Sequence, residues 1–245
     1  MIFKFNSLII RIIDGLSDDV DNISDKLQKT RIEMNFGIKQ QKRIIVCLTG
    51  MPGAGKSTIA SSLKEKGFQV ITMGDAVREE AKRQNLEPTD PNLGTLMLKL
   101  RKELGPGAIA HLILRKMEKD TNHNSNIVII DGIRSMSEVD ILRSVGYVKI
   151  LAVHASTNTR FIYTKERARF DSPSSIQDFV VRDKRELTVG ISEAIALADE
   201  TLSNNELTVE ELKERAFEII QKWIHEINKE DNSITINYKS DNNNK

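Results

Sequence analysis

The sequence lacks most of the features that would point to a secreted, membrane-spanning or nucleic-acid-binding protein. Its 245 residues contain one cysteine, Cys47, so no disulfide can form within the chain, and this fits a reducing, cytoplasmic location. With 36 basic and 35 acidic residues the net charge is only +1, which gives no general attraction to nucleic acid. The apolar stretch at residues 1–13 is too short to span a membrane, and no secretory cleavage pattern follows it. We therefore expect neither a membrane nor a nucleic-acid partner.

One motif stands out in what is present. Residues 50–57 read Gly-Met-Pro-Gly-Ala-Gly-Lys-Ser, which matches the phosphate-binding pattern G-x-x-x-x-G-K-[ST]. An apolar run precedes the motif and a helical pattern follows it, so the expected strand-loop-helix setting is met. We predict that the loop binds ATP, with Lys56 on the β- and γ-phosphates and Ser57 on Mg²⁺; an ordinary glycine-rich turn is the alternative. The predicted nucleotide-binding residues are Gly50, Met51, Pro52, Gly53, Ala54, Gly55, Lys56, Ser57 and Thr58.

The rest of the chain alternates between short β-rich runs and helical patterns, which predicts an α/β fold with a parallel sheet and helices on both faces. The predicted strands are Arg43–Thr49, Gln69–Thr72, Asn126–Ile130, Tyr147–His154 and, more weakly, Thr201–Ser203. A helical insert at about residues 75–120 is broken by Pro88, Pro91 and Gly105-Pro106-Gly107. The main domain is therefore predicted at residues 43–228.

The two ends of the chain differ from this central domain. In the extension at residues 1–42, apolar residues repeat at alternating spacings of four and three, the pattern of a coiled-coil seam. Such a helix would pair with a second chain as a homodimer or lie along the main domain; a mobile leader is the alternative. The seam consists of Ile9, Ile13, Leu16, Val20, Ile23, Leu27 and Met34, with the polar Thr30 in the position between the last two. Residues 229–245 are rich in Asn, Asp, Ser and Lys, which predicts a disordered tail.

Besides the phosphate loop, two segments resemble adenylate kinases. Thr72-Met73-Gly74-Asp75 with Arg78 resembles their Thr-Gly-Asp-x-x-Arg stretch, and Asp131-Gly132-Ile133-Arg134 resembles their Asp-Gly-Phe-Pro-Arg segment. Met73 replaces a threonine, and the proline is missing. The overall likeness, over about residues 43–223, is to an archaeal-type family of kinase-like ATPases related to adenylate kinase and dephospho-CoA kinase. Met-Gly-Asp, Asp-Gly-Ile-Arg-Ser, Val-His-Ala-Ser and Arg-Asp-x-Arg-Glu-Leu recur in that order in it.

This resemblance implies a P-loop NTPase, nucleotide-kinase-like fold: a five-stranded parallel sheet of order 2-3-1-4-5 flanked by helices, with a helical substrate-binding insert and a short lid. Asp75, Arg78, Asp131 and Arg134 would then face one crevice. Arg78 and Arg134 suit a bidentate grip on an acceptor phosphate, and Asp131 would hold Mg²⁺. The alternatives are surface arginines and a turn or cap aspartate.

Asp75 has two possible roles that depend on the acceptor. A phosphate acceptor is already ionised and needs no general base, so Asp75 would then only position other groups. A hydroxyl acceptor, as in dephospho-CoA, would need a carboxylate to take its proton. The structural alternative is an N-cap of the following helix.

A lid is predicted at about residues 160–186, where arginines flank a turn at Phe170-Asp171-Ser172-Pro173. Closing arginines over the transferring phosphoryl group would neutralise charge and exclude water. We favour Arg167 and Arg182 for this role; a solvated basic helix is the alternative. The residues predicted to take part in catalysis are Lys56, Asp75, Arg134, Arg167 and Arg182.

These features together predict Mg·ATP-dependent phosphoryl transfer to a nucleotide or nucleotide-like small molecule, as in nucleoside monophosphate kinases. Phosphorylation of a hydroxyl, as by dephospho-CoA kinase, is the first alternative. A regulatory protein that binds and hydrolyses ATP, and signals through the amino-terminal helix, is the second.

Overall fold

A computed structural model of the protein describes residues 43–119, 126–167 and 175–242. The predicted coiled-coil seam in the amino-terminal extension, and with it the predicted homodimer contact, lies outside the described residues. The middle of the predicted lid, at residues 168–174, lies outside them too. The side chains of residues 118–119, 167 and 230–242 are likewise not described.

The described residues form a five-stranded parallel sheet whose order is β2-β3-β1-β4-β5, as predicted. The strands are β1 (Arg43–Thr49), β2 (Gln69–Thr72), β3 (Ile127–Ile133), β4 (Gly146–His154) and β5 (Glu200–Ser203). β1 lies at the centre, and Ile44 to Thr49 are at most 4% exposed, because helices cover both faces of the sheet. β3 runs past its predicted end at Ile130, so Asp131 and Gly132 belong to the strand.

Helices cover both faces of this sheet. They are α1 (Lys56–Glu65), α2 (Met73–Arg83), α3 (Asp90–Leu104), α4 (Ala108–Lys119), α5 (Met136–Arg143), α6 (Thr157–Arg167), α7 (Ile176–Val189), α8 (Ile191–Ala196) and α9 (Val209–Asn242). Alternate side chains of β1 enter two separate cores, as the two-residue period of a strand requires. Ile45 and Cys47 pack with α2 to α5 and α8, whereas Ile44, Val46 and Leu48 pack with α1 and α9.

The helical insert consists of α2, α3 and α4, and it begins at Met73, slightly before its predicted start. The predicted breaks at Pro88 and at Gly105–Gly107 fall between helices. Pro91 does not break a helix, which corrects the sequence prediction. It lies in the first turn of α3, just after the N-cap Thr89, where a missing backbone N–H costs nothing.

The carboxyl-terminal helix α9 continues to Asn242, although the composition predicted a disordered tail from residue 229. A helix that is already nucleated extends through polar residues at little cost per residue, so composition alone does not locate its end. Among the described residues, no helix is both long and apolar enough to cross a membrane.

Candidate active site

The phosphate loop joins the end of β1 to the start of α1, and its backbone is packed tightly on its neighbours. Gly50, Gly53 and Gly55 have φ values of 137°, 84° and 109°, which side chains rarely adopt. A Cβ atom at Gly50 would lie 2.1 Å from the carbonyl oxygen of Val153, and one at Gly53 would lie 2.6 Å from that of Arg160. The glycines thus let the loop curl against β4 and α6 while it opens toward the amino-terminal end of α1, a setting that favours a bound phosphate.

We expect Gly50→Ala to lower the free energy of unfolding by about 3 kcal/mol or more, because it combines backbone strain with a steric clash. Gly67→Ala is the matched control. Gly67 also has a positive φ of 89°, but a Cβ there would meet no atom within 4 Å, so its cost is only about 1 kcal/mol. Urea unfolding of both variants measures the difference, and equal losses would contradict the tight packing of the loop.

Lys56, the invariant lysine of the motif pattern, bridges the loop from within. Its Nζ donates to the carbonyl oxygens of Gly50 at 2.6 Å and Met51 at 3.1 Å. Burial lowers the pKa of Lys56 to about 8, although the nearby Asp131 carboxylate acts in the opposite direction. A phosphate anion in the cleft would therefore stabilise the charged ammonium.

Ser57 and Asp131 form the oxygen pair expected of a magnesium site. Ser57 Oγ lies 3.5 Å from Asp131 Oδ2, and Asp131 is only 5% exposed at the carboxyl end of β3. Asp131 of β3 pairs in register with Leu48, near the end of β1. Ser57 follows β1 after the phosphate loop, so its side chain and that of Asp131 meet at the carboxyl ends of these two strands. A hydroxyl and a carboxylate are hard oxygen ligands, so these residues fit a Mg²⁺ ion that also binds nucleotide phosphates and water.

A cleft of about 490 Å³ opens beside this loop. The predicted site residues in its wall are Gly50, Pro52, Gly53, Gly55, Lys56, Ser57, Thr58, Arg78, Asp131, Arg134 and Arg182. Met51 and Ala54 lie behind the wall: Met51 accepts from Lys56, and Ala54 is fully buried. The structure therefore brings together most of the residues that were predicted from separate segments.

Asp75 is not in this wall, and its side chain is 57% exposed. Asp75 is in the first turn of α2, and its Oδ1 lies 3.3 Å from a terminal nitrogen of Arg78, three residues later. Asp75 is also not the N-cap, since Thr72 takes that position. The side chain is placed to orient Arg78, and the geometry gives no support to a role as general base. Arg167 ends α6, and its side chain is not among those described.

Arg134 follows β3 and is held from two sides. Its Nε donates to Glu186 Oε2 at 2.5 Å, and its backbone N–H donates to Glu138 Oε2 at 2.8 Å. Glu138 is fully buried, and its other oxygen pairs with Arg101 of α3. The Glu186 carboxylate raises the pKa of Arg134. Because the bond to Glu186 uses only Nε, the two terminal nitrogens of Arg134 can serve a ligand in the cleft.

Helix α7 carries most of the charged residues at the lid side of the cleft. A capping box at Ser175 and Asp178 starts the helix, and Gly190 ends it with a φ of 107°. Burial by itself would raise the pKa of Glu186, but the charges of Arg134, Arg185 and Arg182 outweigh it and lower that pKa below its usual value. Arg182, a predicted lid residue, lies 3.6 Å from Asp90 of the insert.

Arg160 is a buried lid arginine that sequence analysis did not single out. It makes a bidentate ion pair with Asp183 at 2.9 and 2.6 Å and donates to the carbonyl oxygen of Pro52 at 3.0 Å. Its guanidinium also stacks 5.0 Å above the ring of Phe179. Arg160 thus ties α6 and α7 to the phosphate loop. Its spacing from the other arginines gave no signal of this role.

Asn204, in the loop after β5, supports the phosphate loop from the opposite side. It is buried, and its Nδ2 donates to the carbonyl oxygen of Ala54 at 3.0 Å. A Cβ atom at Gly55 would come within 2.6 Å of the same nitrogen. The sequence offered one indication that Asn204 lies at the site, because it is a polar residue directly after a strand. In such sheets the carboxyl ends of the strands line the ligand crevice.

Comparisons with known proteins agree with this architecture. A family described as AAA domain matches residues 49–179. A UPF0200 protein of Pyrococcus abyssi is 41% identical over 166 residues, which cover 66% of this chain and 88% of the relative. A UPF0200 protein of Hyperthermus butylicus is 41% identical over 180 residues, covering 74% and 95%. The solved structure of TT1252 from Thermus thermophilus is 20% identical with a TM-score of 0.54, and it covers 74% of this chain and 98% of that one.

Proposed function

The chain belongs to the UPF0200 family and has a P-loop kinase-like fold, and on this premise we propose that it is a phosphotransferase that passes the γ-phosphoryl group of Mg·ATP to a nucleotide-like small molecule. The observation that carries this proposal is the continuity of the cleft. The cleft that the phosphate loop lines is also lined by Arg78, Arg134 and Arg182, which come from three separate segments of the chain. A protein that only held ATP would not need this second group of cations.

Each side chain has a role that follows from its position. Lys56 and the amino-terminal end of α1 would hold the donor phosphates, while Ser57 and Asp131 would hold Mg²⁺, which neutralises charge on the transferring group. Arg134 and Arg182 would stabilise the equatorial oxygens and orient the acceptor. Positioning and charge neutralisation account for most catalysis of this reaction, so no covalent intermediate on the protein is required.

The position of Asp75 argues against its role as the general base for a hydroxyl acceptor. A hydroxyl needs a carboxylate within hydrogen-bond reach, and Asp75 is an exposed partner of Arg78 outside the cleft wall.

Binding of Mg·ADP at pH 8 should take up a fraction of a proton, because a pKa of about 8 leaves Lys56 partly deprotonated in the free protein and the phosphates would hold it charged. At pH 6 Lys56 is already protonated, so the number of protons that it takes up on binding falls to about zero. Titration calorimetry in buffers of different ionisation enthalpy measures this difference. Lys56→Arg is the control, because arginine keeps its charge at both pH values. Buffer-independent heats for the wild type at pH 8 would contradict the low pKa of Lys56.

The proposed function is tested by ATP consumption with and without a panel of acceptors: AMP, other nucleoside monophosphates and dephospho-CoA. We expect turnover to rise sharply with at least one nucleoside monophosphate. Stimulation by dephospho-CoA alone would support the hydroxyl-acceptor alternative. Turnover that no acceptor changes would support the regulatory ATPase and overturn the kinase proposal.

A further inference from the structure

Asp90 joins the helical insert to α7 inside the cleft. It is the first residue of α3, and its carboxylate accepts two hydrogen bonds from Arg185, at 3.0 and 2.9 Å. Nε of Arg182, one turn earlier on α7, lies 3.6 Å from the same carboxylate. All three side chains are largely buried, and all three line the cleft that also contains the phosphate loop. Two guanidinium groups therefore converge on one anion.

The backbone of α3 is shaped to receive Arg185. Gly94 lies one turn after Asp90, and a Cβ atom there would come within 2.6 Å of an Arg185 terminal nitrogen and 2.9 Å of its Cζ. Only glycine allows the guanidinium group to lie this close to the helix. Arg185 is thus fixed by a bidentate ion pair on one side and a helix backbone on the other, a far narrower setting than that of a surface arginine.

The local charge balance depends on Asp90. Arg134, Arg182 and Arg185 all act on the buried Glu186 carboxylate, and Asp90 is the other carboxylate in direct contact with two of them. Without Asp90, the cleft wall would gain positive charge at Arg182 and Arg185. Such an excess of positive charge attracts a small dianion, and arginine suits the planar edge of a phosphate or carboxylate.

If the cleft receives an acceptor, as the proposed function requires, we infer that Arg182 and Arg185 form the subsite for an anionic group of that acceptor and that Asp90 occupies the subsite until the acceptor displaces it. The wall beside this subsite is apolar, with Leu93, Met97 and Ile133. The matching acceptor class is a small molecule that joins a phosphate group to a flat or apolar body, such as a nucleoside monophosphate.

Two features limit the cost of displacing Asp90. Residues 82–88, which lead to α3, are exposed, so a shift of this segment would uncover little buried surface. A carboxylate in the first turn of a helix is also stabilised by the helix dipole, so Asp90 stays in a favourable field after it leaves the arginines. In the absence of an acceptor, the Asp90 carboxylate therefore occupies the position of the acceptor's anionic group.

The test is the binding of inorganic phosphate to the full chain, with saturating Mg·ADP present so that the phosphate loop is filled. Asp90→Asn removes the competing charge, and we expect it to bind phosphate at least about tenfold more tightly than the wild type. Asp90→Ser should do the same and provides a second variant if the first does not fold. Asp140→Asn, whose carboxylate pairs with Arg143 on the exposed face of α5, is the control and should have no effect.

Adding Arg185→Ala to Asp90→Asn should abolish the gain, which separates a specific subsite from a general change in charge. Unchanged or weaker phosphate binding in both folded Asp90 variants would overturn the inference, as would a gain that survives Arg185→Ala. No turnover is involved in this measurement. Failure of the kinase proposal, in which no acceptor is phosphorylated, is therefore distinguishable from failure of the Asp90 inference.

Discussion

Replacing Lys56 by alanine is expected to lower kcat for phosphoryl transfer by about a hundred- to a thousandfold. The Lys56 ammonium is held by the carbonyl oxygens of Gly50 and Met51, at the point where donor phosphates would lie. No other lysine is in the described wall of the cleft, so no second ammonium can take its place. Steady-state assays with the acceptor identified by the panel measure the loss.

The fold should survive this change. Burial disfavours the charged form of Lys56, as its lowered pKa records, so removing the ammonium does not remove a net stabilising charge. Circular dichroism and thermal unfolding check this point. Lys64→Ala is the matched control, because Lys64 is on the same helix α1 but exposed to solvent, and its activity should equal that of the wild type. A folded Lys56→Ala protein with full activity would refute the role of the loop.

Arg134→Lys should lower kcat/KM for the acceptor by about a hundredfold while leaving the KM for ATP almost unchanged. Lysine keeps the charge but cannot bind Glu186 through Nε and still present two further nitrogens to the cleft. The loss of the planar guanidinium group with its several N–H donors, rather than the loss of positive charge, therefore causes the effect. Initial rates at varied acceptor and fixed saturating ATP measure it.

Two further variants show whether geometry is the cause. Glu186→Gln should reproduce part of the Arg134→Lys defect, because Glu186 fixes the orientation of Arg134 from α7. Arg143→Lys changes an exposed arginine paired with Asp140 and should have no effect. An Arg134→Lys enzyme with a normal kcat/KM for the acceptor would show that Arg134 contributes charge alone or takes no part in acceptor binding.

The sheet and the donor side of the site could be predicted from the sequence, because local signals determine them. Apolar runs located the strands of the sheet, and a motif of fixed spacing located Lys56 and Ser57. Asp131 was recognisable as an acid at the end of a buried strand. The strand order came from resemblance, and the observed order confirms it.

The acceptor side was much less predictable, because it depends on pairs of residues that are far apart in the chain. Arg185 pairs with Asp90 across 95 positions, and Arg134 pairs with Glu186 across 52. No local pattern distinguishes Asp90, Arg185 or Glu186 from a surface charge. Asp75 shows the converse: a motif match placed it in the crevice, while the first turn of α2 directs it toward Arg78 and solvent.

The most direct test of the central claim is mass spectrometry of the reaction products after incubation with Mg·ATP and a mixture of nucleoside monophosphates. We expect a new product that carries one additional phosphoryl group, formed in step with ADP and at least about a hundredfold more slowly when Lys56→Ala replaces the wild type. Formation of ADP and free phosphate alone, with every candidate acceptor unchanged, would contradict it.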